Sequence, residues 1–207
     1  MGMKHIFGTL FFLISSCMSP YVEHASLPDF STETVDPGGS VFRAGKQVDL
    51  VAAKVDLHKT LPDVELTDNK WTGFRFAKDG QVKIISFVPS IDTRICEHQT
   101  QLFSDTATID PRVRRFTVSR DLPGAQERFA EDSDMHNITF LSDYKDGAFG
   151  RASGLLMKDS DLLARAILVV DQNGVVQHLQ IVPEMTRLPD LSKAVDVANK
   201  LVGAGTF

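Results

Sequence analysis

The chain has 207 residues, 43% of them apolar, enough to fill one core of ordinary domain size without a disulfide or structural metal. Its 22 basic and 27 acidic residues give a net charge of -5 and are spread along the chain, so there is no basic patch of the kind that counterion release from nucleic acid rewards. Nucleic-acid binding is therefore not a role to expect.

In chain order, Lys4 opens a short positive region, and Ile6 to Ile14 (IFGTLFFLI) follows as an apolar run. It is too short to cross a bilayer as a helix and has the length of an export-signal core. The run closes in Ile14-Ser15-Ser16-Cys17, which resembles the lipobox of bacterial lipoproteins: a branched apolar residue and two small ones before the cysteine that receives lipid. The resemblance implies a signal over residues 1–17, a lipid on Cys17, and export to the periplasmic or cell-surface side of a bacterial membrane, held by that anchor alone. The alternatives are a cysteine buried in an N-terminal core helix and an ordinary cleaved signal, for which Glu23 sits badly before Ala25. Residues 18–40 (MSPYVEHASLPDFSTETVDPGGS) are rich in Pro, Ser, Gly and acidic residues and lack apolar periodicity. They read as a flexible tether reaching some ~25 Å.

A single domain over residues 41–207 follows. Val41 to Val51 (VFRAGKQVDLV) predicts a small hairpin turned at Gly45, and Gln81 to Val88 (QVKIISFV) a buried strand. Helix is expected from Cys96 to about Thr106, strand over Val113 to Ser119, helix over Gly124 to Glu131, and strand over Ile138 to Leu141. Arg165 to Val170 and Val175 to Ile181 read as strands joined through Asp171-Gln172-Asn173-Gly174, whose Asn-Gly pair signals a hairpin turn. Leu191, Ala194, Val195, Ala198, Leu201 and Val202 share one face of a closing helix. Alternation of this kind predicts an α/β fold, a central sheet covered by helices.

Only two cysteines are present, Cys17 and Cys96, and a lipid-bearing Cys17 would have no redox chemistry left. Cys96 closes the stretch PSIDTRIC, where a strand gives way to a helix. A thiol in the first turn of a helix faces unpaired N–H groups and the positive end of the dipole, which favour the reactive thiolate. Thr93 can place a hydroxyl beside the sulfur and is a candidate N-cap, and Pro89 ends the strand and fixes the backbone.

The spacing Pro-x-x-x-Thr-x-x-Cys, made by Pro89, Thr93 and Cys96, resembles the signature of peroxiredoxins, and Pro-Ser-Ile-Asp-Thr-x-x-Cys resembles their thiol peroxidase branch. The likeness continues in SRDLPGAQERFA (Ser119 to Ala130), ITFLSDYKDGAFG (Ile138 to Gly150) and LLARAILVVDQNG (Leu162 to Gly174), and covers roughly Val41 to Val202. It implies a thioredoxin-like fold with an N-terminal hairpin, usually a homodimer, that reduces hydrogen peroxide and organic hydroperoxides. It further implies Cys96 as the peroxidatic cysteine, Thr93 and Arg165 holding peroxide and thiolate, and Pro89 shielding the sulfenic acid. At one point the chain departs from that family: the position of the usual resolving cysteine is Ala130, and Gly124 stands where an aromatic residue is common. With no other cysteine in the mature domain, the resolving thiol must come from another molecule, a thioredoxin-like protein or a small thiol.

Other readings of these residues are blander. A lone cysteine is often a small buried hydrophobe, Arg165 could be a surface ion-pair residue, and Arg94 reads as solvated. His98 forms Cys-x-His with Cys96, but two such neighbours do not complete a zinc site, and nothing else calls for a metal or a cofactor. Gln99 in place of a cysteine excludes a Cys-x-x-Cys dithiol. Trp71 and Tyr144 read as packing residues. The leading function is a thiol-dependent peroxidase, and the alternative is a redox sensor or binding module that passes oxidation to a partner through a mixed disulfide.

Overall fold

The computed structural model describes residues 28–53, 55–76 and 80–204. Along the chain run β1 (Phe30–Ser31), β2 (Ser40–Arg43), β3 (Lys46–Asp49), β4 (Leu66–Asp68), β5 (Gly73–Phe74), β6 (Lys83–Phe87), α1 (Arg94–Asp105) and β7 (Arg114–Ser119). After them come α2 (Pro123–Asp132), β8 (Thr139–Ser142), α3 (Ala148–Ser153), β9 (Ala166–Val170), β10 (Val176–Ile181), β11 (Leu188–Pro189) and α4 (Leu191–Ala204). One mixed sheet has the order β10-β9-β6-β7-β8-β4-β5, in which β6, β7 and β8 are parallel and the remaining pairs antiparallel.

The apolar run of β6 follows from its central place, since every one of its five residues is buried. Side chains alternate between two faces. Ile84, with Ile167 and Val169 of β9, joins a core formed with Phe103 of α1, Ala130 of α2 and Ala194, Val195 and Ala198 of α4. Ile85 and Phe87, with Leu168 and Val170, join a second core with Val41 and Val48 of the β2–β3 hairpin and Phe149 of α3. Helices thus cover one face, and the hairpin with α3 covers the other.

The expected hairpin forms with Ala44 and Gly45 both at positive φ (50° and 79°), as a two-residue turn matched to strand twist requires. Its tip is held by Glu184, whose two carboxylate oxygens accept the N–H groups of Ala44 and Gly45. Phe42 also exchanges backbone bonds with Pro183 and Met185. The Asn173-Gly174 turn is as expected, with Gly174 at φ 79° and Asp171 Oδ1 accepting the N–H groups of Asn173 and Val175. The predicted strands and helices form with ends displaced by one or two residues, as at α1, which starts at Arg94.

The stretch read as a tether differs from expectation at its C-terminal end. From Asp29 onward it is attached to the domain: Phe30–Ser31 pairs in parallel with Leu188–Pro189 as a separate two-stranded sheet, and Val35 N–H donates to Ile181 O of β10. Gln180 Nε2 donates to the carbonyls of Ser31 and Glu33, and Ile181 N–H to Thr34 Oγ1. These are bonds to main chain and small hydroxyls along β11 and the open edge of β10, so they leave no apolar period in the sequence. Residues 18–27, Cys17 and the apolar run before it lie outside the described residues.

Gly154 ends α3 at φ 72°, and a Cβ added there would lie 1.8 Å from Ala53 O. Gly154→Ala is expected to lower stability by at least ~2 kcal/mol, because left-handed strain and a backbone clash act together. Thermal unfolding should show a midpoint drop of about 4–8 °C for a chain of this size.

Candidate active site

The loop after β6, the first turn of α1, the start of β9 and helix α2 meet at Cys96, and the β10–β11 connection meets Arg165 beside it. Helix α1 buries Cys96, Gln99, Thr100 and Phe103, the i, i+3, i+4, i+7 set of one face. Three of those four carry a thiol, an amide or a hydroxyl, so the inward face is built for hydrogen bonding as much as for packing. Cys96 is 1% exposed and packs with Val88 and Ile91, while Ala125 and Phe129 of α2 close the other side. Its N–H donates to Thr93 O at 2.9 Å, and its carbonyl accepts the Thr100 hydroxyl at 2.9 Å.

Arg165 is also 1% exposed, which rules out the surface ion-pair reading. Each arm of its guanidinium has a partner: Nη2 reaches Cys96 Sγ at 3.4 Å, Nη1 donates to Gln99 Oε1, and Nε donates to Met185 O at 3.0 Å. Gln99 is fixed in turn, its Nε2 donating to Ser86 Oγ at 2.8 Å. Met185 is fixed by the hairpin, since its N–H donates to Phe42 O at 2.8 Å. The N-terminal hairpin is thereby linked to the guanidinium through Met185. A planar donor fork so held can stabilise an anion on sulfur and a second anion beside it.

Thr93 occupies the N-cap position of α1, but its side chain makes no capping bond. The helix start is met by its carbonyl, which accepts the N–H groups of Cys96 and Glu97, while the exposed hydroxyl donates to Ser90 O at 3.1 Å. Its proton is thereby committed to the loop, and its lone pairs remain open as acceptors. Pro89 is half-buried, directly after Val88, whose N–H makes the last ladder bond to Val118 O.

Ala130, in the place of the resolving cysteine, is buried in the helix-side core beside Phe129 and Met135. Gly124 has the Trp71 ring against it, 3.7 Å from where a Cβ would stand, and Trp71 meets Tyr144 edge-on. An aromatic ring thus fills the space from another element, although Trp71 itself is 57% exposed and is only partly a packing residue. Arg94 is exposed, as read.

Sequence reasoning missed Gln99 as a site residue, treating it only as the absence of a second cysteine. Its spacing of three from Cys96, on the face that also carries Thr100 and Phe103, was the available signal. Met185 had none, because its carbonyl is the functional atom.

The family pattern described as Redoxin matches residues 57–197. Thiol peroxidase of Staphylococcus saprophyticus is 39% identical over 150 residues, 72% of this chain and 91% of that protein. Thiol peroxidase of Bacillus subtilis is 37% identical over 159 residues, 76% of this chain and 95% of that one. A peroxiredoxin-like protein from Aquifex aeolicus superposes with a TM-score of 0.74 at 31% identity, covering 79% of this chain and 97% of its own. Thiol peroxidase from Chromobacterium violaceum, at 20% identity and a TM-score of 0.65 over 80% of this chain and 96% of that one, shares the fold. The architecture is accordingly thioredoxin-like, and the sequence likeness extends beyond architecture. By sequence over most of its length, this chain belongs to the thiol peroxidase family of redoxin-domain proteins.

Proposed function

We propose that this thiol-dependent peroxidase works through Cys96 and depends on an external thiol to complete its cycle. The observation that carries the reading is the buried Arg165 guanidinium, 3.4 Å from the Cys96 sulfur and locked on its other arms. A thiolate formed there attacks one oxygen of hydrogen peroxide or an organic hydroperoxide. The O–O bond breaks, the departing hydroxide or alkoxide takes up a proton, and Cys96 becomes a sulfenic acid. Arg165 supplies preorganised donors where negative charge grows, and the Thr93 hydroxyl oxygen accepts a hydrogen bond from the hydroperoxide O–H. Pro89 shields the sulfenic acid from further oxidation. An external thiolate then attacks sulfur, the S–O bond breaks, the departing hydroxide takes up the proton that the thiol lost and leaves as water, and a second thiol releases Cys96 from the mixed disulfide.

Ala130 and the absence of further cysteines beyond Cys17 support the one-cysteine cycle. The reductant is a thioredoxin-like protein or a small thiol. The lipobox-like run ending at Cys17 supports an exported protein, anchored by lipid on the periplasmic or cell-surface side. A homodimer is proposed on the family resemblance.

Stoichiometry tests the cycle. With excess hydrogen peroxide and dithiothreitol, the purified domain is expected to consume many equivalents of peroxide per Cys96, followed by peroxide loss and by the mass of the Cys96 peptide. One equivalent, with Cys96 stranded as sulfenic or sulfinic acid, would replace the enzyme reading with that of a redox sensor.

A further inference from the structure

Asp121 lies in the turn between β7 and α2, one residue before Leu122, the N-cap of α2. An aspartate there is placed to serve the free N–H groups of its own helix, and α2 has no side-chain cap. Asp121 instead turns both carboxylate oxygens to the loop that carries the thiol. Oδ1 accepts the Ser90 hydroxyl at 2.7 Å, and Oδ2 accepts the Ile91 N–H at 2.8 Å. Its own backbone is pinned on the opposite side, its N–H donating to Ser119 Oγ at 3.3 Å and its carbonyl accepting the Ser142 hydroxyl.

Ser90 and Ile91 are the residues through which this hold reaches the site. The Ser90 carbonyl orients the Thr93 hydroxyl, and the Ser90 hydroxyl oxygen accepts the Asp92 N–H at 3.3 Å. Ile91, 3% exposed, packs on Cys96. We propose that Asp121 is a positioning residue for peroxide reduction, clamping the Pro89–Thr93 loop so that the Thr93 oxygen and the Ile91 cover hold their places around Cys96. The inference rests on the reading of Cys96 as the peroxide-reacting thiol. Asp121 acts through Ser90 and Ile91 and touches neither sulfur nor substrate. An electrostatic role is distinguishable from a positioning one. Loss of a negative charge near the site favours the thiolate and would speed the reaction at low pH, whereas loss of the clamp slows it at every pH.

The test uses the full chain, with the second-order rate of Cys96 oxidation by hydrogen peroxide followed by stopped flow from pH 5 to 9. Asp121→Ala is expected to slow that step roughly 10- to 100-fold across the range, the scale of losing near-attack placement. Reduction of the sulfenic acid by dithiothreitol should stay within about twofold, because that step does not use the Thr93 oxygen. Ser90→Ala should give part of the loss, and the double variant should be no slower than Asp121→Ala alone, as expected for two residues of one linkage. Ser90→Ala and Asp121→Asn carry the test if Asp121→Ala fails to fold. A lowered unfolding temperature with an oxidation rate within about twofold of the parent overturns the proposal, and so does faster oxidation at low pH. A parent protein whose Cys96 is not oxidised by peroxide at all overturns the reading of Cys96 itself, which is a separate result.

Discussion

Cys96→Ser is expected to bring peroxide turnover down to the rate of the thiol reductant alone, with the fold retained. A serine hydroxyl fits the space of the thiol, which is fully buried among Val88, Ile91, Ala125 and Phe129. Its ionisation lies far above neutral pH, so the fork of Arg165 meets a neutral oxygen and no competent nucleophile. No second thiol can substitute within the domain, because Cys17 is the only other cysteine in the chain. The measurement is peroxide consumption in the presence of dithiothreitol, beside a thermal melt of the same variant. A Cys96→Ser protein that keeps most of its turnover would falsify the assignment of the reacting group.

The second large effect concerns Arg165. Arg165→Lys keeps the charge, but a single ammonium cannot reach Cys96 Sγ, Gln99 Oε1 and Met185 O together, as the three arms of the guanidinium do. The rate of Cys96 oxidation by peroxide is expected to fall about 10²- to 10³-fold, the scale of losing an oriented donor at a developing anion. Arg165→Met goes further and removes the charge, leaving Gln99 Oε1 buried without its partner, a penalty of about 1–3 kcal/mol. A buried ion replaced by an apolar side chain of similar length relieves desolvation at the same time. Activity should therefore drop much further than stability in Arg165→Met, as read from oxidation rates and denaturant midpoints on the same samples. A variant whose oxidation rate falls less than about threefold would place anion stabilisation elsewhere, in the N–H groups at the start of α1.

Much of the site was legible because it is local. Pro89, Thr93 and Cys96 lie within eight residues of one another, and a loop entering a helix brings such residues together whatever the rest of the chain does. Arg165, 69 residues away, was legible only through the resemblance, since nothing in its own neighbourhood distinguishes a buried guanidinium from a solvated one. Gln99 was partly visible in helical spacing. Asp121 and Met185 were invisible, the first because its position predicts a helix cap, the second because a backbone carbonyl has no sequence signature.

From the sequence alone came the buried central strand, the turns at Gly45 and Asn173-Gly174, the apolar face of α4, and a single thiol at the start of a helix. These depend on periodicity, on positive φ at particular positions and on the count of cysteines, all of which are properties of short stretches. The tertiary structure alone decided where the Thr93 hydroxyl donates, which arms of Arg165 are satisfied and by what, and that the stretch from Asp29 to Val35 lies along β11 and the edge of β10. The physical reason is common to all three. Each is a hydrogen bond between groups far apart or between alternatives equally open to the local chain, so the choice belongs to the packing that brings partners within about 3 Å of one another.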